Sequence, residues 1–171
     1  MKVGPNQYKT IYCHSDGYLT YNGAMLLDYY NDREKVEKLL SLGNLSVLNE
    51  KVEPDPTRPH SFDYNQRQED VCVAYGRDRG EEGQESKILS FEELTSEETW
   101  IEYVYIFDEN GEWQYSNVPF DEFDSVKNGL QKEYQKMGLK KRPPNVYGFL
   151  NKEEIEKYKK IEQQQDSEGE M

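Results

Sequence analysis

Three short polar constellations carry the residue types that chemistry needs: His14 with Asp16, His60 with Asp63, and the triplet Arg77-Asp78-Arg79 between Gly76 and Gly80. Two imidazoles and several carboxylates suit one divalent metal ion, and an arginine beside them suits a phosphate oxygen. That combination outlines a metal-dependent nuclease or phosphodiesterase acting on RNA or DNA, with His14, Asp16, His60, Asp63, Arg77, Asp78 and Arg79 as its candidate catalytic set. Their spacing matches no established ligand signature such as His-Glu-x-x-His. The other reading is structural: His60 and Asp63 organise a turn, and Arg77 and Arg79 neutralise local acids. Polar clusters are frequent at strand ends, which favours the structural reading, and on it no metal or other cofactor is expected.

Other chemistries find less support. Cys13 directly precedes His14, and neighbours on a strand point to opposite faces, so the pair makes no thiolate–imidazole couple without a turn. Cys72 lies within a β-branched run and reads as packing. The two cysteines lack the paired spacing of a zinc or redox motif, which predicts reduced, buried thiols in an intracellular setting. No glycine-rich turn ends in Gly-Lys-Ser or Gly-Lys-Thr, and no Rossmann fingerprint is present. Lys136, Lys140, Lys141 and Arg142 form a basic group that reads more simply as a helix terminus than as a nucleic-acid patch.

The elements that must position these residues follow from periodicity. Tyr8 to Cys13 is predicted as a first strand, closed by a turn in which Gly17 takes positive φ. Helices are expected from Ala24 to about Tyr30 and from a capping box at Asn31-Asp32-Arg33-Glu34 to Gly43. Val71, Val73 and Tyr75 alternate with small residues as a strand running to the triplet. Gly80 to Gln84 reads as a mobile acidic loop. Trp100 to Phe107 alternates and meets Asn110-Gly111, the preferred pair for a type I′ hairpin, so the chain should return through Trp113 and Tyr115. Helical spacing then runs from Phe120 to Met137, and Asn151 to Glu154 is a second capping box. The expected fold is α+β: one antiparallel sheet of about four strands, led by Tyr8, Val71, Ile101 and Trp113, with helices on one face. Residues 1–138 form that domain, 139–150 a basic, proline-bearing linker, 151–162 a C-terminal helix and 163–171 a disordered tail.

Charge gives the strongest compositional signal. The 171-residue chain carries a formal net charge of −13. Glu50 to Asp124 alone holds 21 acidic and 6 basic residues, so the excess is regional. Such a surface repels phosphates and attracts basic grooves, including grooves built for nucleic acid; its alternative is an acidic solubilising face. Glu81, Glu82, Glu85, Asp108, Glu109, Glu112 and Trp113 are the candidate partner-binding residues, on a loop and a projecting hairpin. Fourteen tyrosines suit either protein recognition or a core and its rim. No apolar run is long enough to cross a bilayer, and the N-terminal residues lack the apolar segment of a signal peptide, so a protein without membrane association is expected.

Four segments in one order carry a resemblance: Tyr12-Cys13-His14-Ser15-Asp16-Gly17-Tyr18, Leu39-Leu40-Ser41-Leu42-Gly43, His60-Ser61-Phe62-Asp63 and Val73-Ala74-Tyr75-Gly76-Arg77-Asp78-Arg79-Gly80. Together they resemble a family of small proteins carried by phages, plasmids and integrative elements of Gram-positive bacteria, over about Tyr8 to Trp113. Many relatives have a tryptophan where Ser15 stands here, a departure that bears on packing at that turn. Some members look like anti-CRISPR proteins directed at the type II effector nuclease and its guide RNA. The resemblance therefore implies a mobile-element inhibitor in the cytoplasm of a bacterial host, whose partner is a host effector nuclease or its guide-RNA complex. The oligomeric state stays open.

Overall fold

The computed structural model describes residues 1–169 and confirms an α+β fold, with its strands divided among three small antiparallel sheets instead of one. β1 (Lys2–Gly4), β2 (Gln7–Thr10) and β5 (Lys87–Leu89) form the first sheet. β3 (Leu45–Val47) and β4 (Val73–Ala74) form the second, and β6 (Tyr103–Phe107), β7 (Trp113–Asn117) and β8 (Asp124–Ser125) the third. The expected Tyr8, Val71 and Trp113 strands therefore never share a sheet, and Ile101 precedes β6. Tyr8 pairs with Leu89, Val71 makes only an isolated bridge to Lys51, and Trp113 pairs with Phe107.

Two of these sheets end early for identifiable reasons. The first strand stops at Thr10; Cys13 then makes a lone parallel bridge to Leu45, and the turn after it places Asp16, not Gly17, at positive φ. Asp tolerates that left-handed conformation because its short polar side chain bonds locally. Val71 to Ala74 is buried on both sides, so its alternation carried no face, and the chain curls at Tyr75 into the helical turn α3 (Tyr75–Arg79). Gly80 closes that turn at φ 68, a conformation natural to glycine.

A π-helical turn over Leu19–Gly23 feeds α1 (Ala24–Tyr29), whose Ala24, Met25 and Leu26 are buried. α2 (Arg33–Ser41) buries Val36, Leu39 and Leu40 at helical spacing. Its N-cap is Asp32, which accepts the Lys35 amide, not Asn31 as the capping-box pattern suggested; Asp32 is the residue with extended backbone next to the first turn. Ser90 and Glu93 close a full capping box on α4 (Phe91–Leu94). α5 (Val126–Lys136) starts on a Ser125 cap, later than Phe120, because Phe120 at φ 67 and the short β8 turn the chain first. The Asn151–Glu154 box forms as expected and opens α6 (Lys152–Gly169).

α6 does not stop at residue 162. Residues 163–169 continue the helix where a disordered tail was expected; residues 170 and 171 lie outside the described ones. Gln and Glu are good helix formers, and Lys140 reaches Asp166 to hold the extension. The 139–150 segment also packs more than a linker would. Arg142 donates to Asp28 at 2.5 Å, Tyr147 donates to the other carboxylate oxygen at 2.7 Å, and Pro143 and Val146 are buried.

β6 faces two cores at once. Tyr105 and Phe107 belong to the main core, with Tyr30, Leu40, Leu45, Leu130 and Tyr134. Val104 and Ile106 point the other way, into a smaller core with Leu94 and Phe120, flanked by Tyr8 and Leu89. Trp113 is buried at 7% exposure, and its indole N–H donates to the Tyr30 carbonyl at 2.7 Å. Its role as a partner-binding anchor is thereby overturned, since burial in the main core removes it from the surface. Trp113→Phe keeps most of the ring and leaves that buried carbonyl unpaired, so the urea midpoint should fall by an amount equivalent to about 1–3 kcal/mol at unchanged m-value.

Candidate functional site

The proposed catalytic set separates in space. His60 lies in the 53–70 loop with its side chain 3% exposed, against Asp78 at 4%. Its Nδ1 accepts the Gln68 amide at 3.1 Å, which places the ring proton on Nε2. Nε2 then donates to the Cys72 carbonyl at 3.2 Å and faces Asp78 Oδ2 at 3.5 Å. Arg77 completes the cluster with 2.9 and 3.1 Å bonds to the Asp78 carboxylate, and it reaches the Cys72 and Val52 carbonyls at 2.9 and 2.6 Å. Asp78 Oδ2 also accepts the Ala74 amide at 2.7 Å.

Every strong donor and acceptor in this cluster is committed to the chain itself. His60 and Arg77 satisfy the Cys72 carbonyl just before β4, Arg77 also takes the Val52 carbonyl, and Asp78 accepts the amide of Ala74 at the end of β4. The loop behind them is folded around buried Gln68, whose amide oxygen takes the Asp55 N–H at 2.9 Å while its nitrogen donates to the Asp55 and Arg58 carbonyls. This is a scaffold that docks the proline-rich segment on the second sheet.

The remaining members take no part in this hydrogen-bonded cluster. His14 is exposed, 3.1 Å from the Tyr12 hydroxyl. Asp16 sits in the turn beside it and accepts the Asn22 amide through its backbone carbonyl. Asp63 is exposed and spends its carboxylate on the Asn65 amide at 3.0 Å. Arg79 is half exposed, held over the rings of Tyr75 and Phe62 at 5.1 and 5.5 Å and 3.5 Å from Glu81. The structure thus brings the His60 loop and the Arg77-Asp78-Arg79 turn together, while His14 and Asp16 contact Tyr12, Leu45 and Asn22 and make no hydrogen bond to that cluster. The donors also do not fit a divalent ion: both ring nitrogens of His60 face protein partners, and no group of three or more His, Cys, Asp or Glu side chains among the described residues is arranged to hold one.

The acidic candidates divide into bound and free. Asp108 accepts the Asn110 and Glu112 amides at 2.9 and 3.0 Å and the Gln114 side chain at 3.1 Å, so its carboxylate shapes the hairpin tip. The tip is a type I turn with Gly111 at φ 77 following it, not the type I′ turn that Asn-Gly suggested; the Asp108 bonds select it and leave Asn110 at negative φ. Glu109 pairs with Lys2 at 2.5 Å. Glu81, Glu82, Glu85 and Glu112 are exposed, and among the described residues only Glu81 has a cation partner, the looser one to Arg79. The loop bearing the first three is anchored rather than mobile throughout, since the Asn44 amide donates to the Gln84 carbonyl at 2.7 Å and Gly43 packs so close that a Cβ there would lie 2.1 Å from that oxygen.

Sequence reasoning missed the most exposed aromatic of the acidic segment. Trp100 is fully exposed, between Glu97, Glu98 and Glu102, none of which has an ion-pair partner among the described residues. The signal available was its position at the end of the alternating run, directly after a Ser-Glu-Glu-Thr loop. Conversely, Tyr105 donates to the Gly17 carbonyl at 2.6 Å and Tyr115 packs on Gly129, so neither ring is a free anchor. Beside Trp100 a cavity of about 600 Å³ opens between the two cores, with Cys13 and His14 in its wall. Burial pushes the Cys13 thiol up to about 11 and raises Cys72 as well.

No protein-family model matches this sequence, and neither a curated protein nor a solved structure shows a match.

Two outcomes test the site. Asp78→Ala leaves Arg77 without its carboxylate and the Ala74 amide unpaired, so unfolding in urea should show a loss of at least about 3 kcal/mol. Cys13 favours its neutral form in the fold, so its contribution to stability is complete below about pH 9 and lost as pH rises through about 11. Urea midpoints should therefore fall across that window, with Cys13→Ser showing the shallower decline.

Proposed function

We propose that this protein is an inhibitor of a host defence nuclease, encoded on a mobile element, whose acidic surface occupies a basic nucleic-acid channel of a type II CRISPR effector. The observation that carries the reading is the exposed Trp100 set among unpaired Glu97, Glu98 and Glu102. A large aromatic ringed by like charge has the make-up of a binding hot spot: the ring supplies desolvated contact area, and the carboxylates steer encounter with a positive groove. Between Glu81 and Asp124 there are fourteen carboxylates against the single cation Lys87, which extends the same field over the loop and hairpin. The effector and its guide RNA enter from the family resemblance, not from the charge.

The commitment of Asp108 to its turn and of Glu109 to Lys2 moves the working surface from the hairpin tip toward the loop before β6. Binding is tested with a purified effector–guide complex, by interferometry and by cleavage of a target duplex. Reversing Glu97 and Glu98 to lysine should slow association tenfold or more at 50 mM salt and much less at 300 mM, where screening already weakens steering. Trp100→Ala should raise the dissociation rate at either salt. Affinity and inhibition unaffected by all three changes would sink the reading.

A further inference from the structure

Two stretches of backbone border the cavity of about 600 Å³ with hydrogen-bonding groups unspent. The first is β6. The Val118 amide donates to the Glu102 carbonyl and the Asp108 amide to the Glu112 carbonyl, so Val104 and Ile106, which share that phase, turn their N–H and C=O toward β7. Tyr103 and Tyr105 turn theirs the opposite way, and no strand among the described residues pairs with β6 on that side. The cavity lies there: all of residues 101–106 line it, whereas β7 contributes only Trp113.

The second stretch continues β2. The Tyr12 carbonyl accepts the Leu45 amide at 2.7 Å, the Tyr12 amide donates to Asn44 Oδ1 at 2.9 Å, and the His14 amide donates to the Leu45 carbonyl at 2.9 Å. Ile11 and Cys13, one position out of phase, face away from that side, and among the described residues no hydrogen bond reaches the backbone N–H or C=O of either. Both residues line the same cavity as Tyr103 and Tyr105, and the two stretches make no ladder with each other. An open strand edge is ordinarily blunted by a bulge, a proline or a lysine. β6 runs in unbroken register with β7 and holds no proline or lysine, and Ile11-Tyr12-Cys13 holds neither.

We infer that this slot takes an extended segment of a partner polypeptide, which adds as a strand between β6 and the continuation of β2. Unspent N–H and C=O groups on two sides of one cavity call for an occupant with donors and acceptors along both of its edges, and a β-strand carries them there. Leu26, Leu40 and Leu45 floor the slot, so the side chains of the segment that face them are apolar and recur at every second position. Glu102 stands in the wall next to Tyr103, and Glu97 and Glu98 shortly precede it in the chain, all three without an ion-pair partner among the described residues. The lysines of the lining, Lys9 and Lys87, both belong to the first sheet. The segment is therefore basic where it leaves the slot past Tyr103. This holds whether or not the partner is the effector proposed above, and its test uses no effector.

The probe is the peptide acetyl-Thr-Val-Thr-Val-Lys-Lys-amide, and its match is the same peptide N-methylated at the third and fourth residues, which keeps the side chains and removes one N–H from each edge. Each is titrated into the full ¹⁵N-labelled chain while amide shifts and amide hydrogen exchange are followed. The first peptide should give saturable shifts and slow exchange tenfold or more at Ile11, Cys13, Tyr103 and Tyr105, with much less slowing at Val104 and Ile106, which β7 already protects. The methylated peptide should bind at least tenfold more weakly. Exchange unchanged at the four amides overturns the site, and equal affinity of the two peptides overturns pairing through the backbone. Shifts at these amides that depend on protein concentration without peptide would place a second copy of the chain in the slot and overturn the assignment of a partner. Tyr103→Pro removes an N–H that β6–β7 pairing does not use, and Tyr103→Thr, which also loses the ring, keeps that N–H. The proline variant should bind the peptide at least tenfold more weakly than the threonine variant; equal affinity counts against the inference.

Discussion

Much of this structure hangs on one side chain and its backbone. Tyr30 closes α1, and its carbonyl receives the Trp113 indole N–H at 2.7 Å while its hydroxyl donates to the Asn49 carbonyl at 2.6 Å and meets the Cys72 sulfur at 3.4 Å. The third sheet, the segment after β3 and the approach to β4 are thereby referred to one point. The ring itself is 2% exposed. The three small sheets share no ladder, and although the lone bridge of Cys13 to Leu45 ties the first to the second, strand pairing supplies little of the registration between them. The rest comes from side chains that cross between layers, and Tyr30 with Trp113 is the crossing through the centre. Burial pushes the Tyr30 hydroxyl far above its ordinary range, which keeps it a neutral donor throughout the pH range in which the fold exists.

The same economy governs the polar residues. A chain with short strands leaves many backbone groups over, and buried ones must find partners. Here His60, Gln68, Arg77 and Asp78 serve that need, which accounts for a histidine, an arginine and an aspartate in close contact. The arrangement imitates the composition of an active site because both require charged groups at fixed distances. What separates them is availability: in this cluster the lone pairs and protons already face the chain, whereas Trp100 keeps a whole ring in solvent.

Local signals in the sequence were read well where the physics is local. The capping box at Asn151, the apolar stripe of α2, the β6–β7 hairpin and the α+β class all follow from spacing within a few residues. Long-range assignments were less legible. Nothing in Val71 to Ala74 reveals that both its faces are covered, and so nothing there marks the end of a strand at Ala74. The preference of Asn-Gly for one turn type was overridden by a single carboxylate, Asp108, whose two amide bonds stabilise another. Among the candidate site residues, the exposure of Glu112 and the burial of Trp113 differ although the two are adjacent; strand alternation predicts the contrast, but not which of them faces the core.

The two tryptophans hold opposite environments within one molecule. Trp113 is enclosed with its N–H bonded, while Trp100 is fully in water, and both stand at the cavity. Their emission must therefore be a superposition, a blue component from the enclosed indole and a red one from the hydrated indole. Quenching by a dissolved cation such as caesium, which the carboxylates around Trp100 attract, removes the red component and leaves the blue. The chain thus carries two native chromophores that report separately on its interior and on its surface, without any label being added.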